Sequence, residues 1–256
     1  MTVPSQDRGL LLGDGLFETL LWRDGALLDF ALHADRMDRG CAILGLPAPG
    51  VDRLAAAGLQ AVQEAGLSGG RAAVRLTWTA GPGGRGLDRP TQPEPRLIAS
   101  AAATLATEED CVLVTSTVRR NDLSPASRIK SLAYLDNVLA RREARAAGAD
   151  EALMLNTQGQ IACAAAANIF WFAGHQLRTP ALGCGVLDGV VRGQVLARAR
   201  ALGIDTAEVE AGPEALVDAT GLFLTNSLIG IRRAQALDGR QIAPNPLVER
   251  LVIRSS

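Results

Sequence analysis

Several residue types that commonly carry chemistry are scarce in this sequence of 256 residues. It contains one tyrosine, two histidines and four cysteines. The cysteines show no paired spacing such as C-x-x-C, and with so few histidines this argues against a zinc site. Unpaired thiols are typical of a reducing cytoplasm, where we expect this protein to act. The cysteines are Cys41, Cys111, Cys163 and Cys184.

Excess charge and long apolar runs are also lacking. The net charge is −1 and the arginines are scattered among acidic residues, so the sequence predicts no polyanion-binding surface and no nucleic-acid partner. The first seven residues lack the charged-then-apolar pattern of a signal peptide, and the longest apolar stretch, 97–106, is too short to span a bilayer. We therefore expect a soluble protein with one large domain or two small ones and no membrane partner.

Lysine is the scarcest basic residue: of the 26 lysines and arginines, Lys130 is the single lysine. A lysine amine can lose its proton and attack a carbonyl, whereas a guanidinium stays charged and is a poor nucleophile. Schiff-base formation is the chemistry that requires an amine. The alternative is chance survival at a surface position, and the count alone does not separate the two interpretations.

The residues around Lys130 favour a functional role. A polar, turn-forming segment, 118–125, precedes it. Residues at helical spacing follow it and stop at Gly148, which is typical of a helix end. Lys130 is therefore predicted to lie at the mouth of a helix, after a loop, where its side chain can reach into a cleft. The residues at helical spacing are Leu135, Val138, Leu139, Arg142 and Ala146.

The first half of the chain mixes strand and helix patterns. Residues 16–22 and 26–30 predict a hairpin joined by an Asp-Gly turn. A Gly/Pro-rich loop, 81–90, separates two later strands. The other predicted elements are helices at 32–46 and 51–65 and strands at 73–78, 96–100 and 111–115.

The second half combines strands with one further helix after the Lys130 helix. Strands are predicted at 151–156, 160–163, 168–172 and 222–226, and a helix at about 190–202. Strands and helices do not alternate strictly, which favours an α+β fold over a doubly wound sheet. We place an interdomain loop at 119–125, between a small N-terminal α+β domain (1–118) and a larger C-terminal domain (126–256).

Seven short motifs occur in order along nearly the whole chain. They are Gly13–Thr19; His33–Arg36; Arg128–Lys130 with Tyr134 and Asn137; Asp150–Leu153; Asn168–Phe170; Gly185–Leu187 with Gly189 and Arg192; and Thr225–Ser227. Together they resemble the class IV aminotransferase family, the pyridoxal-phosphate enzymes of fold type IV, with the single lysine at the Schiff-base position. The resemblance implies a two-domain fold with pyridoxal 5′-phosphate between the domains, and a homodimer.

The resemblance assigns cofactor roles to four residues. It implies that Lys130 holds the cofactor aldehyde as a Schiff base and later moves protons. Arg36 would grip the phosphate in a bidentate manner; without the family, it would be interpreted as a solvated helix arginine. The backbone N–H groups of Val190 and Val191, at the start of a helix, would bind the same phosphate, aided by the helix dipole.

Four more residues have competing interpretations. Ser227 lies where the family places a phosphate-binding hydroxyl, although strand-end serines are commonly turn residues. Tyr134 resembles the residue that hydrogen-bonds the cofactor's ring hydroxyl, with a core tyrosine as the alternative. Arg85, in a flexible glycine loop, is interpreted as closing on a substrate carboxylate rather than as a solubilising tip. His33 is expected to cap or pack the helix that presents Arg36.

One position departs from the family pattern. Five residues before Asn168, where family members place a glutamate that keeps the pyridine nitrogen protonated, this chain has Cys163. A thiol, with an ordinary pKa of roughly 8.5, does not hold that proton as a carboxylate does, so the cofactor ring should be a weaker electron sink. A carboxylate from elsewhere is the alternative source of that interaction.

Within the family, the segment Gly83–Gly86 and the compact length of the chain are most similar to those of 4-amino-4-deoxychorismate lyase, and this is the leading function that the resemblance implies. Such an enzyme releases pyruvate and 4-aminobenzoate for folate synthesis, and because an aromatic ring forms, it tolerates a weaker sink. The substrate carries carboxylates and an amine. The alternatives are an aminotransferase acting on branched-chain or D-amino acids and, with Cys163 as its motivation, a non-catalytic pyridoxal-phosphate-binding protein.

Overall fold

Contacts divide the chain into two units that are not simply consecutive in sequence. The first consists of the chain up to Leu105 together with Ile129–Ala133, and the second of Ala106–Arg128 together with the chain from Tyr134 onward. The structure is a computed structural model, and it describes residues 3–107 and 109–252. Lys130 therefore belongs to the first unit, although the residues on either side of its five-residue segment belong to the second.

The first unit is built around a four-stranded antiparallel sheet with the order β2-β1-β3-β4. The predicted hairpin turn is confirmed: Asp24 and Gly25 both have positive φ, 52° and 86°, as a tight two-residue turn requires. The elements are α1 (Arg8–Leu12), β1 (Gly15–Arg23), β2 (Ala26–Leu27), α2 (Phe30–Leu44), α3 (Val51–Glu64), β3 (Arg71–Thr79) and β4 (Arg96–Ala103).

Alternation along β1 decides which residues face the helices. Leu16, Leu20 and Trp22 share a core cluster with residues of β3, α2 and α3, because every second side chain of a strand points to the same face. Glu18 has the same parity and is buried with them. Phe17 points to the opposite face of the sheet. Because side chains alternate along β1, the carboxylate of Glu18 lies in the core and the ring of Phe17 lies on the other face of the sheet.

The Lys130 segment pairs with β1 through an isolated β-bridge. The N–H of Phe17 donates to the carbonyl of Lys130 at 2.9 Å, and the N–H of Leu132 donates to the carbonyl of Gly15 at 3.0 Å. Leu16 and Ser131 form the bridge between these two bonds. Two backbone bonds thus fix the lysine against the first residues of β1.

The second unit contains a nine-stranded mixed sheet with the order β10-β9-β8-β11-β12-β5-β6-β7, and β13 pairs with β12. Its strands are β5 (Cys111–Thr115), β6 (Glu151–Leu155), β7 (Ile161–Ala164), β8 (Asn168–Ala173), β9 (Gln176–Pro180), β10 (Thr206–Val209), β11 (Thr220–Asn226), β12 (Gly230–Leu237) and β13 (Arg240–Gln241). Its helices are α4 (Pro125–Arg128), α5 (Leu135–Ala146), α6 (Val190–Ala201) and α7 (Leu247–Leu251).

The central strands of this sheet are covered on both faces. Along β8, Ile169 and Trp171 join one core cluster, whereas Phe170 and Phe172 join another that contains residues of α6 and α7. The rings of Phe170 and Phe223 stack at 5.1 Å across β8 and β11. Burial on two faces explains why β8 is a continuous apolar run rather than an alternating one.

The predicted α+β class is confirmed, since both sheets are rich in antiparallel pairs. The predicted boundary at 119–125 differs from the observed division. β5, which we assigned to the N-terminal domain, pairs with β12 and β6 of the second unit. Within the described residues, no helix is long and apolar enough to cross a membrane.

The helix that follows Lys130 differs from the prediction in two ways. It begins at Leu135, five residues after the lysine, so Lys130 lies on a strand-like segment rather than at the mouth of the helix. Its apolar stripe also faces outward: Leu135 and Val138 are exposed, and Ala140 and Ala144 pack against β6 and β7. Small side chains let the helix backbone approach the strands closely, which favours alanine over leucine on the buried face.

Candidate functional site

Lys130 has a defined aromatic neighbour. Its side chain is half-buried between the buried residues Ile129 and Ser131. The amine Nζ lies 4.4 Å from the centroid of the Phe17 ring. An ammonium at this distance is attracted by the ring quadrupole, so the backbone pairing and the ring together restrict where the amine stands.

A second cation lies over the same ring. The guanidinium carbon of Arg75 is 3.8 Å from the Phe17 centroid, and its Nε donates to Thr77 Oγ1 at 3.2 Å. The sequence interpretation missed both Phe17 and Arg75. The sequence signal was alternation along the strands: Phe17 alternates with the core residues of β1. Arg75 lies two residues before Thr77, the partner of Phe17, and so on the same face of β3 as Thr77.

Glu18 is a buried carboxylate that two basic side chains bind. Arg36 donates to both of its oxygens, from Nε at 2.8 Å and from Nη2 at 2.6 Å, and His33 Nδ1 donates at 2.7 Å. Burial alone would raise the pKa of Glu18, but the hydrogen bonds from Arg36 and His33 outweigh it and lower the pKa from 4.5 to about 2. The three side chains form one buried ionic cluster.

This cluster changes how two predicted residues are understood. His33 does not cap α2, whose N-cap is Asp29; it packs inside and binds Glu18. Arg36 is buried rather than solvated, and its fork is oriented by a carboxylate. The carboxylate fixes the orientation of the Arg36 guanidinium, and its role at a phosphate remains a prediction.

In the second unit, Asn168 and Gly189 prepare the start of α6. Asn168 Nδ2 donates to the carbonyl of Leu187 at 2.9 Å, which fixes the loop that enters the helix. A Cβ on Gly189 would lie 2.0 Å from Asn168 Oδ1, so only glycine fits there. The helix begins at Val190, as predicted, and its first N–H groups lack intrahelical acceptors.

Ser227 lies in the turn between β11 and β12. β11, which precedes this turn, pairs with β8, the strand that begins at Asn168. Thr225 pairs with Asn168 across β11 and β8. Asn226 shapes the turn: its Oδ1 accepts from the N–H groups of Leu228 and Ile229, both at 2.9 Å, and its Nδ2 donates to the carbonyl of Ala166. Ser227, Asn168 and the loop around Ala166 therefore share one end of neighbouring strands.

Cys163 is buried in β7, opposite Met154 of β6. Burial raises the pKa of its thiol; Arg120 opposes this effect and Glu151 adds to it. Asn137 stabilises the residues that follow, since its Nδ2 donates to the carbonyl of Ala165 at 2.8 Å. The thiol is therefore neutral at ordinary pH, as the sequence interpretation required.

Arg120 is a buried arginine that the sequence interpretation missed. Its guanidinium donates to three neutral acceptors: the carbonyls of Gly185 and Ser127, and Oδ1 of Asn137. It ties the loop before α6 to the start of α5. Within a polar, turn-forming segment no local pattern distinguishes such a residue from a solvated arginine.

Tyr134 and Arg85 lie outside these clusters. Tyr134 is the N-cap of α5, half-buried, and its hydroxyl is not the capping group. Arg85 is exposed in the loop after β3. The flexibility of this loop stays a prediction; in the structure a buried arginine, Arg8, donates hydrogen bonds to several of its carbonyls.

The residues present fit a phosphate-bearing aldehyde cofactor. A helix start cleared of side chains by Gly189 suits phosphate oxygens, because free N–H groups and the helix dipole both favour an anion. The Lys130 amine, which lies over the Phe17 ring, suits an aldehyde. Lys130 and Arg36 come from the first unit, whereas Tyr134, Cys163, Val190, Val191 and Ser227 come from the second.

Comparison with known proteins agrees with this chemistry. Residues 15–237 match the family described as amino-transferase class IV. A Methanocaldococcus jannaschii protein, provisionally named branched-chain-amino-acid aminotransferase, is 33% identical over 242 residues, which cover 92% of this chain and 83% of that protein. The aminodeoxychorismate lyase of Bacillus subtilis is 29% identical over 232 residues, covering 88% of this chain and 78% of the lyase.

A solved structure is similar over almost its full length. A Legionella pneumophila protein, provisionally named 4-amino-4-deoxychorismate lyase, superposes with a TM-score of 0.90 at 28% identity. The match covers 98% of this chain and 93% of that one. Relatives with lyase names and relatives with aminotransferase names thus share this chain's fold.

Proposed function

Because this chain belongs to the class IV amino-transferase family and is therefore a pyridoxal-phosphate-dependent enzyme, we propose that it is a 4-amino-4-deoxychorismate lyase. The proposed reaction releases pyruvate and 4-aminobenzoate. The observation that carries the proposal is the buried, neutral thiol of Cys163 at the position where the family has a glutamate. The lyase names among the relatives support it.

The thiol matters because the two candidate reactions need different electron sinks. Transamination must delocalise a full carbanion and reprotonate it on the cofactor, which requires a protonated pyridine nitrogen. Cleavage of aminodeoxychorismate forms an aromatic product, and the gain in aromaticity drives the step. A neutral thiol holds the nitrogen's proton less well than a carboxylate does, so Cys163 favours the lyase.

Pyridoxal phosphate, when bound, would supply an electron-accepting ring joined to the substrate's amine. Lys130 would then take the proton from the substrate carbon that bears the amine. The carbon–oxygen bond to the enolpyruvyl group breaks, the ring becomes aromatic, and the proton is returned to the leaving enol to give pyruvate. Atoms balance without a further reactant, and one amine serves as base and then as acid.

The remaining residues would bind and orient. Arg36, aligned by Glu18, and the N–H groups of Val190 and Val191 would hold the phosphate, with the Ser227 hydroxyl as a further donor. Tyr134 would hydrogen-bond the ring hydroxyl. Arg85 would bind a substrate carboxylate, because a guanidinium and a carboxylate form paired hydrogen bonds.

A second candidate is an aminotransferase acting on branched-chain or D-amino acids. The 33% identity to a relative with a branched-chain aminotransferase name is the observation that favours it.

We also propose that the enzyme works as a homodimer in the cytoplasm. The exposed leucines Leu10 and Leu11, 65% and 62% accessible, lie next to each other on α1 and would form part of an apolar contact surface.

The deciding experiment compares wild type with Cys163→Glu. We expect wild type to release pyruvate and 4-aminobenzoate from aminodeoxychorismate and to convert little cofactor to its amine form with amino acids. Cys163→Glu should raise the transamination half-reaction by about tenfold or more and change lyase turnover less. Both activities are measured on the holoenzyme, together with the absorption spectrum between pH 6 and 9.

Two controls make the result specific. Cys163→Ser replaces one neutral group by another and should keep the wild-type balance, and Cys41→Ala alters a buried cysteine of the first unit. Brisk transamination by wild type without any 4-aminobenzoate would refute the lyase and establish the aminotransferase. Absence of both activities in a cofactor-loaded protein would favour the non-catalytic alternative.

A further inference from the structure

The loop between β3 and β4 has an unusual backbone. We use the name glycine loop for residues 81–89. Four of its glycines have positive φ: Gly81 (78°), Gly83 (96°), Gly84 (83°) and Gly86 (60°). Because glycine loses more conformational freedom on folding than any other residue, such a loop is mobile unless other groups hold it.

Arg8 holds the backbone of this loop. Its Nη1 donates to the carbonyl of Asp88 at 2.9 Å, and its Nη2 donates to the carbonyl of Leu87 at 2.8 Å. Nη1 also lies 3.4 Å from the carbonyl of Gly86. The Arg8 side chain is 6% accessible, so these bonds are shielded from water. A single guanidinium thus binds three successive carbonyls.

Asp14 orients Arg8 from the other side. Its Oδ2 accepts from Arg8 Nε at 2.9 Å and from Arg89 Nε at 2.9 Å, and Oδ1 accepts from Arg89 Nη2. The hydrogen bond from Arg89 is the main reason that the pKa of Asp14 is lowered, against an opposing effect of burial. The carboxylate therefore stays charged and joins two arginines.

Both ends of the glycine loop are anchored. At its start, the N–H of Arg8 donates to the carbonyl of Gly81 at 2.9 Å, and Asp7 accepts from the hydroxyl of Thr79. At its end, Arg89 Nη1 donates to the carbonyl of Leu44 at 2.6 Å. The loop is therefore fixed to α1 at one end and to the end of α2 at the other.

The tip leaves one cation exposed. The N–H of Asp88 donates to the carbonyl of Arg85 at 3.1 Å, closing a four-residue turn. A Cβ on Gly84 would lie 2.0 Å from the carbonyl oxygen of Asp88, so the turn also requires that glycine. No described residue accepts a hydrogen bond from the Arg85 guanidinium. The backbone of Arg85 is held while its side chain is available.

We propose that Arg8, Asp14 and Arg89 are positioning residues that fix the glycine loop and thereby present Arg85 to a carboxylate of the substrate. The inference rests on the proposed function for the identity of that substrate. The benefit is entropic: a loop ordered before binding does not have to be ordered by the substrate, so the carboxylate binds more tightly.

The first test is a double-mutant cycle on the holoenzyme with aminodeoxychorismate as substrate. Arg85→Ala should raise KM about tenfold with little change in kcat, as expected for loss of a charge-assisted contact. Arg8→Ala should raise KM by a similar factor. Because Arg8 acts through Arg85, the double variant should be no worse than Arg85→Ala alone. Multiplicative effects of the two changes would overturn the proposal.

The second test does not depend on the reaction. Trypsin cleaves after arginine but needs a locally unfolded chain, so the held bond between Arg85 and Gly86 should be cut slowly in wild type. Arg8→Ala and Arg89→Gln should each speed cleavage at this bond about tenfold or more, as followed by mass spectrometry. Arg39→Ala, at an exposed position of α2, is the control and should cut at the wild-type rate.

The outcomes separate the two proposals. If aminodeoxychorismate is not cleaved, the proposed function fails, while the trypsin rates still decide whether the loop is held. If the rate of cleavage at Arg85 is unchanged in folded Arg8→Ala and Arg89→Gln, the positioning role is refuted whatever the reaction.

Arg8→Lys keeps the positive charge but loses the forked geometry of the guanidinium, so we expect its KM to lie between those of wild type and Arg8→Ala.

Discussion

The two units prepare their functional groups by different means. In the first, charged side chains orient one another: Glu18 aligns Arg36 and His33, and Asp14 aligns Arg8 and Arg89. In the second, the groups that hold the loops donate to backbone carbonyls: Asn137, Asn168 and Asn226 do so as neutral amides, and Arg120 does so as a cation without a carboxylate among these acceptors. Hydrogen bonds between charged side chains orient them strongly, but their strength depends on the protonation state of the carboxylate. Hydrogen bonds from neutral amides orient less strongly and do not change with pH in this way.

The difference matches what each unit offers a ligand. The first unit offers an amine and guanidinium groups, which need a fixed direction and a fixed charge. The second offers backbone N–H groups at the start of α6 and a neutral thiol, which need only a fixed backbone. Four experiments, described in order of decreasing expected effect, would test this contrast.

The largest effect should come from Lys130, because only the first unit offers a covalent attachment. Purified holoenzyme should be yellow, and borohydride should fix the cofactor to one peptide that contains Lys130. Lys130→Ala should lose this attachment and reduce turnover to background, while the cofactor stays weakly bound through its phosphate. Mass spectrometry of the reduced digest is the measurement. An adduct confined to the N-terminal amine, with Lys130 unmodified, would exclude the assignment.

Glu18→Gln should cause the largest loss of stability. It removes the carboxylate to which the buried Arg36 donates two hydrogen bonds, and breaking a buried ion pair typically costs about 3–5 kcal/mol. Asn168→Ala, its counterpart in the second unit, removes a neutral donor and should cost about 1–3 kcal/mol. Urea unfolding measures both. Glu94→Gln, at an exposed position of the first unit, is the control, and equal losses for Glu18→Gln and Asn168→Ala would contradict the contrast.

Arg36→Ala should weaken cofactor binding by about tenfold or more, since a charge-assisted contact contributes about 1.5–3 kcal/mol. Arg36→Lys should recover only part of the affinity because the fork geometry is lost. The dissociation constant is measured by absorbance titration of the apoenzyme, with unfolding curves to verify that each variant is folded. Unchanged affinity in both variants would assign the phosphate to the start of α6 alone.

The smallest effect is a dependence on acid. The folded-state pKa of Glu18, about 2, lies below its ordinary value of 4.5. The stability it contributes is therefore complete above about pH 4.5 and is lost as the pH falls towards 2, with a loss of only about 1 kcal/mol at pH 4. Urea unfolding of wild type between pH 6.5 and 3.5 should show this decline, and Glu18→Gln should lack that part of it. A steeper decline in the variant would be evidence against the shift.

The sequence correctly predicted the helix and strand bounds that depend on residues near one another in the chain. The start of α6 at Val190 and the whole of β5 follow from local signals, an apolar period and a glycine before the helix. The ion pairs of Glu18 and Asp14 could not be predicted, because they join residues of different elements that only the folded unit brings together. α1 was missed as well: five residues carry no measurable period, and its three leucines face water.

The outward stripe of α5 shows a second reason for failure. Leu135, Val138 and Leu139 have the spacing of a buried face, and spacing alone cannot say whether alanine or leucine meets the sheet. The choice is made by how closely β6 and β7 approach, which is a property of the folded unit. The same limit applied to Lys130, whose helix begins later because its own segment pairs with β1.

The way in which Ile129–Ala133 joins the first unit has a consequence for synthesis. The edge of β1 at Gly15–Phe17 leaves the ribosome long before the segment that covers it. Until Ala133 has emerged, the nascent first unit carries an open strand edge, of the kind that pairs with the wrong chain. The first unit can therefore finish folding only after Lys130 has been synthesised, because the segment that carries this lysine also covers the edge of β1.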